Sequence, residues 1–142
     1  MTTRMTHRHL AAALGLFAVA GAVAGCGWLH DSSTSPSDAI VEKFSGSLKQ
    51  QGSVVFSFNT SQTGTVDVTL TAMSPQSSAT VGLGIGTPSG DTCTMTKSAS
   101  SVAPATTAQL SVTENAGAYC VKVYDVSSLT ETVTVSVTVS HQ

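Results

Sequence analysis

Val133-Thr134-Val135-Ser136-Val137-Thr138-Val139 alternates a valine with a hydroxyl-bearing residue over seven positions. Successive side chains of a β-strand point to opposite faces, so this alternation places the four valines on one face and the hydroxyls on the other. On a helix the same spacing would scatter the valines around the whole circumference. The stretch therefore predicts a β-strand with one buried face and one wet face. As an edge strand it would invite pairing with another chain.

Seven shorter runs with the same period of two precede this stretch. They occupy residues 44–48, 54–58, 66–70, 81–85, 93–95, 110–112 and 119–123. Turn-forming segments rich in Gly, Pro, Ser and Gln separate these runs. From residue 44 onward, no segment of the chain has the apolar spacing of an amphipathic helix. Eight short strands divided by turns predict an all-β, antiparallel sandwich.

The first 26 residues have a different character. Arg4 and Arg8 precede an apolar run of 14 residues at 10–23, which is too short for a permanent membrane span but suits a signal peptide. The run ends in Val23-Ala24-Gly25-Cys26, which resembles the lipobox of bacterial lipoproteins. We therefore predict a cleaved signal peptide at 1–25, a lipidated flexible tether at 26–43 and a β-sandwich domain at 44–142.

The lipoprotein resemblance implies a location and a chemistry. It implies a diacylglyceryl group on the Cys26 sulfur and an amide-linked acyl chain such as palmitate on its new amino group. Each buried methylene contributes about 0.8 kcal/mol, so several chains anchor a protein firmly to a membrane. Gly27 in place of Asp favours the outer over the inner membrane if the cell is Gram-negative. The alternative is an ordinary secretory signal followed by a free Cys26.

The charge balance excludes one class of partner. Both arginines lie in the signal peptide, which leaves four lysines against eight carboxylates in the mature chain. Nucleic-acid binding requires clustered cations that displace counterions from phosphates. We expect no nucleic-acid partner.

With Cys26 assigned to lipid, two cysteines remain. Cys93 and Cys120 form an even pair in an oxidising compartment, which predicts a structural disulfide. A zinc site would require more ligands, and redox chemistry favours closer Cys-x-x-Cys spacing. Because Tyr119 and Cys120 are adjacent in a predicted strand, we expect Tyr119 to face the core and Cys120 to face outward.

The domain also resembles the bacterial pre-peptidase C-terminal domain, a jelly-roll-like sandwich often appended to secreted proteases. Five segments carry the resemblance: 44–48, 55–58, 64–70, the G-x-Y-x-x-x-V pattern at 117–123, and 132–139. These are packing motifs, so the resemblance implies a fold and an accessory role without an activity. Some relatives bind calcium through carboxylates before the middle strand, where this chain has the uncharged segment 79–86. We expect no cofactor and no metal, calcium included.

Gly82, Gly84 and Gly86 alternate with aliphatic residues in that segment. A dinucleotide fingerprint would lead into a helix, whereas this segment leads into a Pro-containing turn. Three glycines on one face of a strand indicate that another group approaches closely. One interpretation is that a side chain or the tether of the same chain lies over them. The other is a contact strip on which a partner protein or glycan docks.

We expect no catalytic residues. A nucleophile needs a base within hydrogen-bond reach, and the mature histidines, His30 and His141, stand at opposite ends of the chain. The sequence therefore predicts a membrane-anchored, non-catalytic lipoprotein of the cell envelope that acts as an accessory or interaction module for an envelope protein or surface ligand. The alternative is a small carbohydrate-binding module, which would use exposed aromatics such as Tyr124 or Phe44.

Overall fold

The computed structural model describes residues 38–142, and these form eight β-strands. The strands are β1 (Ile40–Leu48), β2 (Ser53–Thr60), β3 (Gly64–Ser74), β4 (Val81–Ser89), β5 (Thr92–Val102), β6 (Leu110–Glu114), β7 (Gly117–Asp125) and β8 (Val133–His141). No residue between 38 and 142 is helical, so this part of the chain contains no helix that could cross a membrane. Cys26, the predicted signal peptide and most of the predicted tether lie outside the described residues.

The strands form two four-stranded antiparallel sheets. The first sheet has the order β1-β8-β3-β6, and the second has the order β2-β7-β4-β5. The chain changes sheet at every connection except the hairpin between β4 and β5. This order is that of a jelly roll, in which two Greek keys share one sandwich. The predicted all-β, jelly-roll-like fold is confirmed.

The apolar positions of the period-two runs form the core between the two sheets. The four valines of β8 are at most 1 % exposed, and Val81, Leu83 and Ile85 of β4 are fully buried opposite them. Each aliphatic side chain of this size contributes about 1.5–3 kcal/mol when fully buried. The same residues that predicted the strands therefore hold the two sheets together.

The expected start of the first strand is wrong, and the condition under which β8 would invite pairing with another chain is not met. The first strand begins at Ile40 rather than at residue 44, because its backbone pairs with β8 along the whole length from Leu48↔Val133 to Ile40↔His141. Backbone pairing needs no apolar alternation, so the pattern missed these four residues. The valine-rich strand β8 is also not an edge, since β1 and β3 flank it on both sides.

The disulfide between Cys93 and Cys120 is present. The two Cα atoms are 5.8 Å apart, and the bond joins β5 to β7 on the outer face of the second sheet. Cys120 faces outward, as its position beside Tyr119 predicted, yet it is fully buried because neighbouring groups of β5 cover it. The bond fixes the end of the β4–β5 hairpin against the body of the sheet.

Replacing both cysteines by alanine is expected to lower the free energy of unfolding by about 3–4 kcal/mol, because the bond closes a loop of 27 residues in the unfolded chain. Urea unfolding of the oxidised protein and the double variant measures the difference. Reduced wild-type protein is the control and should unfold near the same midpoint as the variant. Equal stability of oxidised and reduced protein would contradict the expectation.

Candidate functional site

The glycine strip of β4 is covered by the chain itself. The Tyr124 ring lies over Gly82, and the Met95 side chain lies over Gly84. All three glycines are buried. A docking partner would therefore meet Tyr124 and Met95 here, and the prediction of direct docking on glycine backbone does not fit this geometry. The other interpretation, in which groups of the same chain lie over the strip, agrees with these contacts.

Gly86 meets backbone rather than a side chain. A Cβ at this position would stand 2.6 Å from the carbonyl carbon of Thr94 and would overlap its oxygen. The cause is a break in register between Ile85 and Gly86, after which β5 crosses closely over β4. Cys93 lies directly beyond this crossing and thereby comes within bonding distance of Cys120.

His141 is a packing residue. It is 2 % exposed, its Nε2 lies 2.9 Å from Oε1 of Glu42, and its ring packs against Phe58. The pair joins the start of β1 to the end of β8. Its imidazole therefore lies inside the sandwich, in contact with a carboxylate and an aromatic ring rather than with a nucleophile.

Glu114, Asp125 and Glu131 are acidic residues near strand ends, and the fold separates Glu114 from the other two. Glu114 lies beside Tyr119, at the end of the sandwich where β1 begins. There, burial raises the pKa of the Tyr119 phenol, and the nearby Glu114 carboxylate adds to the rise. Asp125 lies at the opposite end, and Glu131 contacts Gln76 of the β3–β4 loop. Within residues 38–142, no three His, Cys, Asp or Glu side chains converge in a way that could hold a metal ion.

The strongest candidate site lies at the end of the sandwich where β1 meets β2 and β7 leads to β8. A depression of about 350 Å³ opens there, and it is lined by Gln50, Gln51, Asp125, Ser127 and Leu129. The volume falls in the lower part of the range typical of small-molecule sites, about 300–1,000 Å³. The depression is therefore large enough to receive a ligand group.

Asp125 joins the two loops that form this depression. Its Oδ2 accepts a hydrogen bond from the Gln51 backbone N–H at 2.8 Å, and its Oδ1 accepts from the N–H groups of Ser128 at 2.9 Å and Leu129 at 3.2 Å. These hydrogen bonds lower the pKa of the Asp125 carboxyl below its usual value, and the bond from Gln51 has the largest effect. Both carboxylate oxygens are thus engaged in holding the loops, which makes Asp125 a structural acid.

Backbone strain concentrates at the same place. Among residues 38–142, the non-glycine residues with positive φ are Gln51 at 53° and Ser127 at 69°, and both line the depression. Side chains rarely adopt this left-handed conformation, which is costly unless the surroundings impose it. Such outliers often mark functional positions. The bonds to Asp125 hold both loops in this conformation.

Sequence reasoning did not find this site. In the sequence, Asp125 stands apart from the other carboxylates, and residues 50–52 form one of the turn-forming segments. An aspartate after a strand often accepts hydrogen bonds from backbone N–H groups a few residues later, and this tendency would have predicted the tight β7–β8 loop. Nothing in the sequence indicates that the β1–β2 turn, 74 residues earlier, donates to the same carboxylate.

Comparisons with known proteins bear on the fold alone. No family model matches the chain, and no curated protein matches it either. Among solved structures, the Yersinia pseudotuberculosis-derived mitogen is similar, with 14 % identity and a TM-score of 0.50. The match covers 73 % of this chain and 87 % of the mitogen. At this identity the likeness extends to the sandwich architecture and no further.

Replacing Asp125 by Asn should destabilise the domain at neutral pH by about 1–2 kcal/mol, because charge-assisted bonds to backbone N–H groups are lost. The lowered pKa means that this stabilisation is complete above the unfolded-state value of about 3.9 and is lost as the pH falls through the folded-state value. Urea unfolding midpoints at pH 7 measure the destabilisation, and midpoints below the unfolded-state pKa measure how it changes in acid. The difference between wild type and D125N should shrink in acid, and a pH-independent difference would contradict the assignment.

Gly86→Ala is expected to destabilise by about 3 kcal/mol, the upper end for overpacking, because the new methyl group meets the Thr94 backbone. Gly84→Ala is the matched control on the same face of β4. Its methyl group meets the end of the flexible Met95 side chain, so a loss below about 1 kcal/mol is expected. Thermal unfolding compares the stability of the two variants. Equal losses of stability would argue against the close approach of the Thr94 backbone to Gly86.

Proposed function

We propose that this chain is a non-catalytic lipoprotein of the bacterial cell envelope, held to a membrane by lipid on Cys26, that binds an envelope component. The component is contacted through the loop end of the sandwich formed by residues 49–52 and 126–132. We call this surface the distal end, because it lies at the end of β1 opposite Ile40, where the described domain begins.

The anchor rests on the sequence. The basic first residues, the apolar run at 10–23 and the Val23-Ala24-Gly25-Cys26 motif together support lipidation. Thirteen residues lie between Cys26 and Ile40, and the 14 Cα–Cα steps from one to the other reach at most about 50 Å when fully extended. The anchor and the tether therefore limit how far the domain can stand from the membrane. Gly27 makes the outer membrane the favoured location if the cell is Gram-negative.

The observation that carries the binding role is the position of the depression. The nine residues of β1 span about 30 Å, and they separate Ile40 from the loop that contributes Gln50 and Gln51. The described domain thus carries this strained, polar depression at the end remote from Ile40. A surface so placed is accessible to other envelope components.

A binding role without catalysis accords with the side chains of the described domain. His141 lies in the core against Glu42, and both oxygens of Asp125 are held by backbone N–H groups. An enzyme would instead need a nucleophile and a base within hydrogen-bond reach. The accessory role implied by the resemblance to the pre-peptidase C-terminal domain points in the same direction.

The experiment that tests the binding role is site-specific photo-crosslinking in intact cells. A photoreactive residue at Gln50, on the distal end, should yield one dominant crosslinked species. The matched control places the same residue at Ala116, an exposed position in the β6–β7 turn at the end of the sandwich where β1 begins. Mass spectrometry of the captured species distinguishes a protein partner from a glycan.

Two results decide the matter. Crosslinking from Gln50 but not from Ala116 supports the distal end as the binding surface, whereas equal yields from both or none from Gln50 would overturn it. The anchor is checked in the same cells, since Cys26→Ser should move the protein from the membrane fraction to the soluble fraction. A Cys26→Ser variant that stays with the membranes would overturn the anchor.

A further inference from the structure

The depression at the distal end has a chemistry that selects among ligands. Gln50, Gln51 and Ser127 contribute carboxamide and hydroxyl groups, whereas Leu129 lines the depression with its side chain buried in the core. The Gln51 carboxamide and the Ser127 hydroxyl have no hydrogen-bond partner among residues 38–142, and the Gln50 amide donates one long bond to the Leu129 carbonyl. Each free group both donates and accepts hydrogen bonds.

Charged ligands fit this site poorly. No lysine lines it, and the ionised Asp125 repels anions. The same carboxylate already accepts three backbone N–H bonds, so it offers little to a cation. A neutral ligand that presents several hydroxyl groups matches the available carboxamide and hydroxyl groups.

The site is also held in place before any ligand arrives. Gln51 and Ser127 keep their left-handed backbone because Asp125 fastens the loops to each other, and the Asp125 N–H donates to the Gly52 carbonyl at 3.0 Å. Loops that are already ordered lose less entropy on binding. The ordered loops therefore lower the entropic cost of binding a small ligand.

We propose that the depression lined by Gln50, Gln51, Ser127 and Leu129 binds a neutral saccharide of one or two rings, through hydrogen bonds from carboxamides and a hydroxyl. This proposal names the ligand class of the surface assigned in the preceding subsection and rests on that assignment. Aromatic stacking plays no part at this site. Tyr124 lies on Gly82, and Phe44 stacks on Phe56 at the side of the sandwich.

The test is saturation-transfer NMR on the full-length protein in a detergent without a sugar headgroup. The probes are glucose and N-acetylglucosamine, which are neutral, against the charged analogues glucose 6-phosphate and glucosamine. We expect signal transfer to at least one neutral sugar at millimolar concentration and weaker transfer to both charged sugars.

The decisive variant is the double substitution Gln51→Gly and Ser127→Gly. Glycine adopts positive φ freely, so this variant keeps the backbone and the bonds to Asp125 while it removes both side-chain partners. We expect neutral-sugar binding to weaken about tenfold or more, with an unfolding temperature close to that of the wild type. Gln62→Ala, in the β2–β3 turn at the other end of the sandwich, should bind like the wild type.

Three results would overturn the saccharide proposal: no transfer to either neutral sugar, equal transfer to the charged analogues, or unchanged binding by the double glycine variant. These results are separate from the crosslinking experiment. A distal end that crosslinks from Gln50 to a protein, in a chain that binds no sugar, would leave the binding role standing and exclude the saccharide.

Discussion

The burial of the β8 valines is the interaction on which the rest of the structure depends. β8 lies between β1 and β3, and its inward side chains face the aliphatic residues of β4 and β7. One strand thus organises the first sheet and contributes a row of side chains to the core. Because the pairing with β1 extends to His141, it also places Glu42 against that imidazole and closes the end of the sandwich.

A second constraint acts on the outer face of the other sheet. The missing Cβ at Gly86 lets the backbone of β5 cross close to β4, and this crossing brings Cys93 to Cys120. The glycine and the disulfide are therefore parts of one arrangement. Gly82 and Gly84 serve a different purpose, since they accommodate the side chains of Tyr124 and Met95. A periodic glycine pattern can thus have a separate local cause at each position.

Much of the fold was predictable because it depends on local alternation. All eight strands and the outward direction of Cys120 follow from spacing in the sequence, and the disulfide follows from the even number of cysteines left after Cys26. The start of β1 could not be predicted in this way, because residues 40–43 are held by backbone pairing to a distant strand. The site at Gln51 and Asp125 was not predicted for a similar reason. Its defining hydrogen bond joins two loops that are far apart in the chain and share no motif.

The pairing of β1 with β8 also bears on when the domain can fold. Every partner of β1 in the first sheet lies 85 or more residues later in the chain, from Val133 opposite Leu48 to His141 opposite Ile40. Contacts between such distant residues form slowly, because a long loop must close before they provide any stability. The first strand therefore stays without its partner in the first sheet until β8 is available, a period in which that strand is open to pairing with other polypeptides.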